Sequence, residues 1–133
     1  MLLRLVAVIA LLQGIAHGTL FLRARPRNGP AEVAVVEAMR GSRFPFGRSR
    51  RSYWDLYVGY GLEAAAVCFV EAALFWLLAG IAVRDRSLVK PIAALFLAAN
   101  LGHIALVARY FFLTPAIPDA LIALGLAGVL LAG

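Results

Sequence analysis

A single cysteine, Cys68, excludes an intrachain disulfide. Lying inside an apolar run, it reads as a small buried hydrophobe rather than a reactive thiol. Histidine is almost as scarce, with only His17 and His103. A zinc site needs three or four ligands at one level, and only His17, His103 and Glu71 could contribute here, so no metal centre is expected. There is no glycine-rich phosphate loop, no CxxC and no HExxH. No serine stands near a histidine within the apolar runs. Glu63 and Glu71 would lie about 12 Å apart along one helix, too far for a close acid–base pair. These absences leave hydrolytic chemistry without residues to carry it, and a non-enzymatic protein is expected.

Charge is also scarce. Charged residues make up 15% of the 133-residue chain and hydrophobic residues 63%, against about a quarter and about half in a soluble domain. So short a chain keeps much of its surface exposed, so an excess of this size cannot hide in a core. Lipid is the solvent that fits, and the fold expected is all-α: a single transmembrane domain over residues 1–133, built as a four-helix bundle. The helices are 2–22, about 53–83, 91–113 and the shorter 116–133; with 53–60 taken as a lead-in and 61–83 as the second apolar run, each run is near the roughly 20 residues that span a bilayer. The first run imitates a signal peptide, with Arg4, an apolar stretch and Gly14-Ile15-Ala16. Because apolar character continues through Leu20-Phe21-Leu22, it reads as a retained helix.

What charge there is has one sign and one address. The net charge is +6, from twelve Arg and one Lys against seven acids. Eight of the Arg (Arg23, Arg25, Arg27, Arg40, Arg43, Arg48, Arg50 and Arg51) fall in the one long connection, residues 23–52. Beside a bilayer such a cluster marks contact with anionic headgroups and the cytoplasmic side. The expectation is a bacterial inner-membrane protein with residues 23–52 in the cytoplasm and both termini outside. No nucleic-acid-binding motif accompanies the charge, so no nucleic-acid partner is expected.

Within that connection Pro30 to Arg40 reads as a short helix on the membrane surface, with Val33, Val36 and Met39 at helical spacing and Gly41 as its stop. Phe44-Pro45-Phe46-Gly47 reads as a turn. Tyr53, Trp54, Tyr57 and Tyr60 then form an interfacial aromatic belt. Arg48, Arg50 and Arg51, with Trp54 and Asp55, make a basic, aromatic collar for a lipid headgroup or an acidic partner, and Asp55 is expected to pair with the preceding Arg cluster. Small residues recur every fourth position: Gly14 and Gly18; Ala94, Ala98 and Gly102; Ala123 and Ala127; Gly128 and Ala132. Such spacing lets helices approach closely.

Polar residues inside the runs require a reason, since a charge at the bilayer centre costs about 2.5–3.5 kcal/mol. At about 1.5 Å per residue, Gln13, Glu71, Asn100 and His103 are expected to share one layer near the midplane. Three uses fit it. The layer can hydrogen-bond the bundle together, as suits an accessory subunit packed on a larger membrane complex. It can line a pocket for a lipid or sterol-like ligand, which the protein binds or isomerises. Or His17 and His103 can ligate b-type haem, or one of them a chlorophyll magnesium.

Several motifs carry a resemblance over nearly the whole chain: His17-Gly18, Val36-x-x-Met39, Arg51-Ser52-Tyr53-Trp54-Asp55-Leu56-Tyr57-x-Gly59-x-Gly61-Leu62, and Arg109-Tyr110-Phe111-Phe112-x-x-Pro115. In these the chain resembles a widespread group of uncharacterised bacterial four-helix membrane proteins. The resemblance implies four membrane helices and brings no activity. In layout alone it is also similar to the emopamil-binding and sigma-2 receptor superfamily. That superfamily's histidine–glutamate pattern on one helix is absent here, so no catalytic residue is carried over.

Overall fold

A computed structural model describes residues 1–132. Five helices and one β-hairpin follow in chain order: α1 (Leu2–Leu22), α2 (Pro30–Gly41), β1 (Arg43–Phe46), β2 (Ser49–Ser52), α3 (Tyr53–Arg84), α4 (Lys90–Tyr110) and α5 (Ala116–Leu131). Three of them, α1, α3 and α4, are long and apolar enough to cross a membrane. The fourth apolar helix, α5, has 16 residues and is about 24 Å long, short of the roughly 30 Å hydrocarbon core. The expected fourth run reached Gly133, which lies outside the described residues.

The chain divides into two compact units. One comprises Met1–Gln13 with residues 68–132. Its core follows helical spacing on every wall: Leu3, Val6, Ala7 and Ala10 from α1; Ala72, Phe75 and Ala79 from α3; Ile122 and Leu126 from α5. Phe75 meets Phe96 edge-on, with ring centroids 5.1 Å apart. Gly125 faces Val6 so closely that a Cβ at this position would collide with the valine methyl. Gly128 faces Leu2, whose Cδ1 would lie 3.1 Å from an added Cβ. By contrast, an added Cβ on Gly102 meets nothing, so the small-residue row of α4 is not a close helix contact among the described residues.

The second unit is Gly14–Val67. Here the end of α1 runs against the start of α3: Gly18 meets Ala65, and the Phe21 ring lies across Gly61. Pro30 opens α2 where a missing N–H costs nothing. Glu32, in its first turn, reaches back to accept the backbone N–H of Arg27 and Asn28, each at 2.6 Å. Those two donors stabilise the ionised carboxylate and hold Glu32 below the usual carboxylate range.

Two local expectations need correction. Phe44, Pro45 and Phe46 are strand, not turn, and pair antiparallel with Arg51, Arg50 and Ser49. The reversal is Gly47-Arg48, with Gly47 at φ 58, a positive value that glycine adopts without the strain a side chain would bring. Pro45 is tolerated because both strands of a two-stranded sheet are edges. Secondly, α4 stops at Tyr110 rather than 113, because Phe111 turns extended (φ −126, ψ −174) while its N–H caps the Val107 carbonyl.

Candidate functional site

The most unusual chemistry in the first unit centres on Asp119. Pro115 precedes α5 and Asp119 falls in its first turn, where the helix dipole favours a carboxylate. The residue is only 2% exposed. Its Oδ1 accepts a 2.8 Å hydrogen bond from the buried Gln13 amide of α1. His103 Nδ1 of α4 stands 3.1 Å from Oδ2. The ring N–H is not lined up on that oxygen, so Oδ2 has no hydrogen-bond donor among the described residues. The contact is a charge–dipole or ionic one, according to the protonation of the ring.

Among the residues expected in a polar layer, Gln13 and His103 are thus brought together by a third group. Glu71 lies within Coulombic reach of His103 and Asp119 but takes no hydrogen bond among the described residues. Asn100, one turn before His103, has a buried Oδ1 without a donor among the described residues. His17 belongs to the second unit, where its ring packs 6.1 Å from Phe21. Asp119 itself was not picked out from the sequence, because it stands beside Pro118 in a hairpin bend that reads as interfacial. The available signal was its isolation: besides Asp55 and Asp85 it is the only aspartate.

With Nδ1 set 3.1 Å from the carboxylate, Nε2 is the ring nitrogen left for another partner. The His103 side chain is 55% exposed. It shares a stripe of α4 with Ala99, Leu106 and Tyr110, all exposed. Among the described residues no group of three or more His, Cys, Asp or Glu could hold a metal ion.

The collar in the second unit is built on a cap. Ser52 N–H donates to Asp55 Oδ2 at 2.8 Å, and Asp55 N–H donates to Ser52 Oγ at 3.1 Å. This reciprocal capping box starts α3 straight from β2. Asp55 is therefore held by its cap. The expected close pair with the Arg cluster does not form, and Arg43 and Arg51 act on the carboxylate only at longer range. Arg40 of α2 stacks over the Trp54 ring, 4.6 Å from its centroid. Trp54 and Tyr57 meet at 5.4 Å, Phe44 and Tyr53 at 4.9 Å. Arg48 and Arg50 are exposed on the hairpin.

No family model, curated protein or solved structure matches the chain.

Proposed function

We propose that the chain is a multi-pass protein of a bacterial cytoplasmic membrane, with residues 23–52 on the inner side. In this reading it works as a non-enzymatic accessory subunit that docks on a larger membrane component through α4. One observation carries it. His103 stands half-exposed on an apolar stripe, its Nε2 unpaired among the described residues, with a buried carboxylate behind Nδ1. Ionisable side chains at membrane depth face protein or cavity rather than lipid, because hydrocarbon offers them no partner. A docked component that supplies that partner removes the cost. The poor coverage of α4 agrees, since only Ala93 and Val107 of its 21 residues are buried.

The test is a photo-crosslinking residue at Leu106, on the His103 stripe, compared with one at Leu77 of α3, which is somewhat more exposed. A docking face gives one discrete adduct from Leu106 that is lost in His103→Leu and kept in His103→Gln. Equal smears from both positions, with a native mass of the lone chain, would sink the reading.

The geometry at Nδ1 favours a second reading. A carboxylate behind one imidazole nitrogen is the usual support for a metal on the other. His103 could then be the axial ligand of a haem or chlorophyll carried by this subunit. An absorption spectrum of the native protein decides it: a Soret or red band must be present and must vanish in His103→Ala.

A further inference from the structure

We infer that the groove between Arg51 and Leu62 is a binding site for one acidic phospholipid, the phosphate held at Arg51 and Trp54 and an acyl chain laid along α3. This rests on the membrane reading but not on the docking role of α4.

Three observations converge there. The first is a groove of about 380 Å³ lined by Arg51, Trp54, Asp55, Leu56, Val58, Gly59 and Leu62. Its lining changes character along its length. The rim is polar and aromatic, and below it stand aliphatic side chains and a glycine. An anionic headgroup joined to a hydrocarbon chain has that same order of chemistry.

The second is charge without compensation. Arg40 lies over the Trp54 ring, and Arg51 lines the groove together with Trp54. Among the described residues no carboxylate stands at ion-pair distance from Arg40, Arg48, Arg50 or Arg51. Two of the segment's three acids are spent on backbone, Glu32 on Arg27 and Asn28 and Asp55 on Ser52, which leaves Glu37 as the remaining acid against eight arginines. Asp55 lines the same groove, but its capping bond fixes it against the wall, and Arg40 and Arg51 outnumber it. A guanidinium fork matches phosphate oxygens in pairs.

The third is the gap at Gly59. A Cβ added there meets nothing within 4 Å, so helix packing does not require the glycine. In mid-helix a glycine costs about 1 kcal/mol relative to alanine. An acyl chain lying against the bare backbone gives it a use.

The experiment is native mass spectrometry of the full chain in detergent, titrated with phosphatidylglycerol and with phosphatidylcholine of the same acyl chains. One phosphatidylglycerol should be retained per chain where phosphatidylcholine is not. Arg51→Gln should weaken retention about fivefold, the share of one Arg near an anionic surface. Gly59→Leu keeps every charge, has room to fold and fills the groove, so retention should fall at least as far. Arg25→Gln, elsewhere in the same segment, should change nothing. Retention unaltered in Gly59→Leu, or lowered as much by Arg25→Gln as by Arg51→Gln, would show a diffuse charge effect and overturn the site. So would displacement of the lipid by millimolar inorganic phosphate, or an acidic polypeptide in the lipid's place. The Leu106 crosslink should persist in Arg51→Gln and Gly59→Leu, so failure here and failure of the docking reading are separable.

Discussion

The Gln13 amide and the Asp119 carboxylate meet at 2.8 Å across 106 residues of sequence. Both are buried, and the bond joins the first helix to the last inside one unit. Gln13→Leu removes the donor and leaves the carboxylate with the misaligned His103 contact alone. A buried acceptor stripped of its partner costs about 1–3 kcal/mol, more when charged. The melting temperature in detergent should fall accordingly. In an Asp119→Leu background the same Gln13→Leu change should cost little further, because the interaction is already gone. Equal losses in both backgrounds would mean that the two residues are not coupled.

Hydrophobic run length read the long helices to within a few residues, because lipid-compatible composition admits nothing else. Gln13 and His103 were also legible as polar groups needing a partner. The partner was not. Run length treats residues 114–118 as a bend and stops, whereas the packing of α5 carries Asp119 to 2% exposure beside both. Depth counted along each helix cannot show which residue of a neighbouring helix stands opposite. The β-hairpin was missed for a local reason. Pro45 argues against a strand anywhere but at an edge, and nothing in the composition announces that this sheet has only edges. The Ser52-x-x-Asp55 spacing is itself a capping-box signal, and the arginines just before it offer the same carboxylate a competing partner.

Small residues divide into those a neighbour demands and those it does not, and substitution should sort them. Gly125→Ala drives a methyl into buried, β-branched Val6, and Gly61→Ala into the Phe21 ring. Overpacking of this kind costs about 1–3 kcal/mol. Gly80 and Gly102 have open space above them, so alanine there should be neutral or stabilise by up to about 1 kcal/mol through helix propensity. Phe21→Ala should restore part of the loss in Gly61→Ala. Thermal melts of the five variants in one detergent check the ranking. If Gly102→Ala proves as damaging as Gly125→Ala, the contact assignment is wrong.

The proposed cytoplasmic placement of residues 23–52 rests on eight arginines in one segment. Ser42 caps the end of α2 and is exposed, so a cysteine there is open to reagent. Ser42→Cys, in a Cys68→Ala background, should resist an impermeant maleimide on intact cells and react once the membrane is opened. Reaction on intact cells would reverse the proposed topology, and the groove proposed for an acidic lipid would then face the outer leaflet.

Glu32 gives the start of α2 a pH dependence whose sign is fixed by its contacts. The backbone N–H groups of Arg27 and Asn28 bind the ionised carboxylate, so folding lowers its affinity for protons. The stabilisation is therefore complete above the ordinary carboxylate value of 4.5 and is lost as pH falls through the lower folded value. Backbone amide resonances of Arg27 and Asn28 should stay fixed from neutral pH down to about that value and shift together below it, with fraying confined to the first turn of α2. Glu32→Gln keeps an acceptor but no charge, so both amides should be insensitive to pH over the same range. A midpoint above 4.5, or the same titration persisting in Glu32→Gln, would show that another group holds this helix start.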